Sequence, residues 1–226
     1  MRLGFSVRVY GCPDLPSYDG RPAYENPHLS ISLAYLRDIL LYLRANDIKM
    51  YRMHPRLMPL SSGADLQSVY EQIMECGPQL ADLGRLAREG GVRLSFHPDS
   101  AVILNAINED QVSRSEAHLE AQAALMTAMG LGPEAVIVLH VGGVYDDIVT
   151  SRERFIRRYE ALPPYVRQRL VLENDDHRFS YADVRIVHEA CGVPLVLDNL
   201  HHLVLNPKGI PMREVLAYCL KTWPEG

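Results

Sequence analysis

Carboxylates and imidazoles collect at the ends of apolar runs in this chain. Leu170-Val171-Leu172 runs directly into Glu173, Asn174, Asp175, Asp176 and His177, and Leu195-Val196-Leu197 runs into Asp198, then His201 and His202. "VRLSFH" ends in His97, and "AVIVLHVGG" carries His140. A lone histidine on an apolar strand is more often a hydrogen-bonded core group than a ligand. A lone acid at a strand end is more often a solvated loop residue or a helix cap. Four strand ends of one kind argue otherwise. If the strands are parallel and adjacent, His97, His140, Glu173, Asp198 and His201 converge on one rim. Three imidazoles and two carboxylates in a small volume need a compensating charge. A divalent cation supplies it, and this donor mix suits zinc, manganese or iron. The number of donors points to more than one ion. Paired metals activate water and stabilise the leaving oxygen in phosphodiester hydrolysis. The same Lewis acidity also serves to polarise a sugar carbonyl in isomerisation.

The elements that must hold these groups alternate along the chain. Strands are expected at residues 3–9, 48–53, 92–97, 135–143, 170–173 and 194–198. Helices are expected at 30–46, 65–89 with a break or kink at Gly77-Pro78, 109–129, 151–161, 181–190 and 211–220. A Pro/Gly-rich loop fills 11–27. His118 and His188 fall in the helices and read as surface groups; His28, His54 and His177 fall in loops. The strands are apolar on both faces, as parallel strands covered by helices should be. Two architectures fit, a doubly wound sheet and a (β/α) TIM-type barrel. No GxGxxG follows the first strand, which weakens the dinucleotide-binding version. Polar groups at many strand C-termini favour the barrel. A closed barrel uses eight units and typically ~250 residues, and six are legible here. The expectation is a single partial barrel domain over residues 1–226, with open first and sixth strand edges through which it could associate.

The bulk numbers are those of a soluble globular chain: 226 residues, 47% hydrophobic, 23% charged and a net charge of −5. No apolar run reaches the length of a membrane span, and the N-terminus lacks a long apolar signal core. Cys12, Cys76, Cys191 and Cys219 are scattered without zinc-motif spacing, and read as reduced thiols of a cytoplasmic protein. The acidic balance shows no strong basic footprint and argues weakly against non-specific nucleic-acid binding, while leaving room for a local basic groove. Arg8, Arg52 and Arg56 lie near the ends of the first two strands, where DNA phosphates would meet them.

The segments "RLGFSV", "RLSFHP", "VLHVGGVYDD", "RLVLENDD" and "PLVLDNLHH", in this order, resemble the UV damage endonuclease family. Its broader relatives are the endonuclease IV-like and xylose isomerase-like barrels. The resemblance implies a (β/α)8 barrel with a multi-metal site, commonly manganese, with zinc as the alternative. It implies an enzyme that nicks duplex DNA 5′ to ultraviolet photolesions and opens an excision repair. The implied metal ligands are His97, His140, Glu173, Asp198 and His201. Glu173 and His140 stand at the centre of catalysis, in which metal-activated water attacks the phosphodiester. The chain departs from the family in three places. The family carries further ligands on strands seven and eight. Its Gly-Gln-Tyr wedge after the strand-three His-Pro is here Asp99, Ser100 and Ala101, too small to part stacked bases. Its DNA-facing Tyr and Asn of the first loop are Phe5 and Val9, and a Lys after "GGVY" is Ile148. The alternatives left open are an abasic-site endonuclease or sugar isomerase on the same barrel, or a catalytically incomplete barrel. Ser180 is expected to cap the helix that follows Glu173's loop.

Overall fold

The computed structural model describes residues 2–12, 14–25, 27–59 and 66–224. The strands are β1 (Gly4–Ser6), β2 (Met50–Arg52), β3 (Arg93–Phe96), β4 (Val136–Leu139), β5 (Leu170–Glu173) and β6 (Leu195–Val196). The helices are α1 (Leu29–Ala45), α2 (Leu66–Glu75), α3 (Gly77–Gly90), α4 (Glu109–Ala128), α5 (Ile148–Ala161), α6 (Pro164–Arg167), α7 (Tyr181–Cys191), α8 (Asn199–Val204) and α9 (Met212–Lys221). A short 3-10 turn covers Ala23–Glu25.

The strands hydrogen-bond in the order β1-β2-β3-β4-β5-β6, and the registered pairs are parallel. A doubly wound sheet reverses its strand order at a switch point. Strict sequential order is that of a TIM-type barrel wall, here with six of the eight units. The α/β class and barrel architecture expected from the sequence are the ones observed.

Two compact units divide the chain: residues 1–97 with 117–137, and residues 98–116 with 138–226. In the first, Leu29, Leu33, Leu36, Ile39, Leu40 and Leu43 form the buried stripe of α1, which packs on α3. His28 is not a bland loop residue; its ring accepts from the Ser30 N–H and caps α1. The helix expected from Asp65 starts outside the described residues. It breaks into α2 and α3 at Cys76-Gly77-Pro78, because proline is welcome in a first helical turn and not in an interior. Gly84 lies within α3, where alanine is ordinarily about 1 kcal/mol better. A Cβ there would fall 1.6 Å from the Met129 carbonyl oxygen, which also accepts from Arg88 Nη1 at 3.1 Å. Gly84→Ala is therefore expected to destabilise by about 1–3 kcal/mol, read as a lower urea midpoint; a higher midpoint would contradict this packing.

In the second unit, β5 is buried along its whole length, as is β4, whose last two residues fall there, as strands covered on both faces must be. Helices α5 and α7 pack together, and α7 and α9 pack on β6. Helix α5 begins at Ile148, three residues before the expected start, because Asp147 accepts from the Val149 and Thr150 N–H groups at 2.8 and 2.9 Å. Asp183 accepts from the N–H and hydroxyl of Ser180 at 3.0 and 2.7 Å, the N-terminal box of α7. His118 and His188 are half-buried rather than surface groups; His188 Nδ1 meets the Val193 carbonyl at 2.9 Å. The outward backbone groups of Leu195 are not left open. Its N–H donates to Thr222 Oγ1 at 2.9 Å, and its carbonyl accepts from the Trp223 indole at 2.8 Å.

Candidate metal centre

Strand register places the site. β5 pairs with β6 so that Glu173 lies beside Val196. Side chains two apart on an extended chain share a face, so Asp198 follows Val196 on the side where Glu173 stands. His140 follows β4 directly. His201 sits not at a strand end but in α8, because Asp198 caps that helix and its Oδ1 accepts from the His201 N–H at 2.9 Å. The cap turns the chain back and brings the imidazole over the carboxylates.

Ligand atoms of Glu173, Asp198 and His201 all lie within 4.8 Å of one another. Glu173 Oε2 stands 3.3 Å from His140 Nε2, with the glutamate side chain 5% exposed and the histidine 28%. The His140 and His201 rings are 5.6 Å apart. Sequence reasoning thus names four residues that the second unit brings together. His97, directly after β3, belongs to the first unit and is half-buried. Arg8, Arg52 and Arg56 also belong to the first unit: Arg52 ends β2 half-buried, and Arg8 and Arg56 are exposed.

Asn174 organises the cluster. It is buried, its Oδ1 accepts from the Asp198 N–H, and its Nδ2 donates to the Asp198 carbonyl, both at 3.0 Å. Its own carbonyl meets His201 Nδ1 at 2.8 Å. A carbonyl only accepts, so Nδ1 carries the proton and the Nε2 of a neutral His201 carries the lone pair a metal needs. Asp175 shapes the loop, with Oδ1 accepting from the N–H groups of His177 and Phe179 at 2.8 and 3.0 Å. Burial of the His201 ring works against its charge. The Asn174 carbonyl and the carboxylates of Asp198, Glu173 and Asp176 outweigh that, and the ring titrates above the ordinary imidazole value. Two carboxylates and two imidazoles with one tautomer already fixed fit a divalent cation, whose charge replaces the proton they otherwise favour.

Asn105 is the residue that sequence reasoning missed altogether. It is fully buried, donates from Nδ2 to the Gly143 carbonyl at 2.8 Å, and accepts at Oδ1 from the Gly143 N–H at 3.1 Å. Gly142 adopts φ +116° against it; a Cβ there would lie 2.3 Å from Asn105 Oδ1. The turn that follows His140 is thereby fixed. Only "HVGG" hinted at a tight turn, and its partner lies 38 residues away.

Residues 29–226 match the family model of UV-endonuclease UvdE. A UV DNA damage endonuclease of Clostridium perfringens (strain 13 / Type A) is 28% identical over 188 residues, covering 83% of this chain and 45% of its own length. One of Bacillus velezensis (strain DSM 23117 / BGSC 10A6 / LMG 26770 / FZB42) is 28% identical over 199 residues, covering 86% of this chain and 61% of its own length. The chain thus spans about half the length of these relatives. The crystal structure of SacUVDE superposes with a TM-score of 0.89 at 28% identity, over 99% of this chain and 77% of that one. A D-psicose 3-epimerase solved with D-fructose matches at a TM-score of 0.57 and 10% identity, over 80% of this chain and 63% of that one, which shows a shared fold alone. By the stretch matched, the chain belongs to the UV-endonuclease UvdE family.

Proposed function

We propose that the chain is a metal-dependent DNA-repair endonuclease that nicks duplex DNA 5′ to ultraviolet photolesions, as one partial barrel domain. The observation that carries this is the cluster of Glu173, Asp198 and His201 at the strand tips, in a member of the UvdE family. Glu173, Asp198, His201 and His140 hold the divalent ions. Manganese is the first choice and zinc the second, and more than one ion serves the complete site. A divalent ion at such a site lowers the pKa of water and offsets charge on the phosphodiester. The protein's share is positional. Glu173 sets a carboxyl group beside His140, Asn174 fixes Asp198 and the His201 tautomer, and Asn105 fixes the turn after His140.

The loop after β3 offers only Asp99, Ser100 and Ala101, all exposed. Lesion reading therefore falls to other residues, and Arg8, Arg52 and Arg56 take backbone phosphates. Four free thiols support a reducing, cytoplasmic setting. Among the described residues no helix is long and apolar enough to cross a membrane.

The test is cleavage of end-labelled duplexes carrying one photolesion, one abasic site or neither, with manganese and with chelator. The reading expects a manganese-dependent break 5′ to the photolesion. Cutting confined to the abasic duplex, or equal cutting of all three, contradicts it.

A further inference from the structure

The tips of β1, β2 and β3 carry a polar row that the metal cluster does not use. Register sets Ser6 beside Arg52, and Arg52 beside Ser95. Register partners on parallel strands share a face, and strands lie about 4.8 Å apart. The row therefore reads hydroxyl, guanidinium, hydroxyl across three neighbouring strands.

Two of its members lack what their environment demands. Ser95 Oγ is buried and meets no hydrogen-bond partner. Arg52 is half-buried, and among the described residues nothing pairs with its guanidinium. A buried hydroxyl with its bond unmade is costly, and so is a partly desolvated cation without a counter-charge. Guanidinium only donates, and both hydroxyls have a proton to give. The missing partner must accept and must be negative. A flat carboxylate satisfies the guanidinium fork alone, whereas the tetrahedral oxygens of a phosphate reach the fork and the flanking hydroxyls together.

The backbone around the row is held in a strained state. The Arg8 N–H donates to the Ser6 carbonyl at 2.7 Å across Val7, whose φ is +61°. A tight turn of that hand is rare, and rarer for a β-branched residue. Val7 is fixed from both sides: its N–H donates to the Arg52 carbonyl at 2.9 Å, and its carbonyl accepts from Tyr51 Oη at 2.9 Å. Strain over-determined in this way accompanies pre-organised sites.

We propose that Ser6, Arg52 and Ser95 form an oxyanion site for a phosphate group. Only the source of that phosphate, a DNA phosphodiester rather than the free ion, rests on the endonuclease reading. The metal-free chain in chelator is titrated with inorganic phosphate at constant ionic strength, set with chloride. Arg52→Gln is expected to weaken phosphate at least about tenfold and Ser95→Ala about threefold to tenfold, the scale of charge-assisted hydrogen bonds. Without phosphate, Ser95→Ala should melt no lower than the unaltered chain, since it removes a hydroxyl that has no partner. Phosphate affinity that is absent, or equal in all three proteins, overturns the site. A lower melting temperature of Ser95→Ala without phosphate overturns it too. Undamaged duplex DNA identifies the source: a DNA phosphodiester predicts that Arg52→Gln flattens the salt dependence of binding by about one unit of slope. An unchanged slope assigns the site to free phosphate. A chain that binds phosphate through Arg52 yet nicks no irradiated DNA contradicts the endonuclease reading and leaves the oxyanion site standing.

Discussion

Glu173→Gln is expected to abolish manganese-dependent nicking and to remove most of the stabilisation that manganese confers. Glu173 is the most buried carboxylate of the cluster, and it meets His140 on one side and the Asp198–His201 pair on the other. Glutamine keeps the shape and loses the charge. A neutral amide is a poor partner for a hard divalent ion, so affinity should fall at least about hundredfold, the range seen when a group supporting a metal is lost. An ion at a hundred times its Kd stabilises the folded chain by about 2.7 kcal/mol. For a chain of this size that is about 5–10 °C in melting temperature. The unaltered chain should show such a rise with manganese, and Glu173→Gln should show at most about 1–2 °C, while both melt at similar temperatures in chelator. A Glu173→Gln protein that still gains the full shift would remove Glu173 from the ligand set.

Asn174→Ala is expected to damage both stability and metal binding. The side chain makes two half-buried hydrogen bonds to the peptide groups of Asp198. Truncation leaves the half-buried Asp198 N–H unmet, while its carbonyl still accepts from the His202 N–H at 3.1 Å; a loss of about 1–3 kcal/mol is expected, read by urea unfolding in chelator. The same truncation frees the Asp198 backbone and the start of α8, and with them the His201 ring. Manganese affinity should fall about 10- to 100-fold in the fraction that stays folded. A loss of stability with unchanged affinity would make Asn174 a structural residue only.

The strand tips were the legible part of this chain. Apolar runs at regular spacing announced six parallel strands, and parallel neighbours bring their C-terminal residues to one edge. That reasoning places His140 against Glu173, and the structure has them 3.3 Å apart. It misplaced His201, which reads as the end of a strand and lies in a helix. The signal was present as an aspartate three residues ahead of it, which caps the helix while standing among the candidate ligands. The short α6 after Pro163 went unread because two prolines suggest a break more readily than a single helical turn. Asn105 was illegible in a stronger sense, and Asn174 was legible only as a residue shaping the loop after Glu173 and supporting its neighbours, without its partners. Their partners lie 38 and 24 residues away, and no local pattern marks an asparagine whose side chain replaces a missing backbone bond. Asn174 owes its role to the register of β5 on β6, which is a tertiary fact.

Divalent metal at the strand-tip cluster is read out by manganese broadening of histidine ring signals in the NMR spectrum. Manganese is paramagnetic and erases signals close to it. At substoichiometric manganese the rings of His140 and His201 should broaden first, while that of His188 stays sharp. The broadening should vanish in Glu173→Gln. Rings of His140 and His201 that stay sharp through a full equivalent of manganese, or broadening centred on other histidines, would contradict the account.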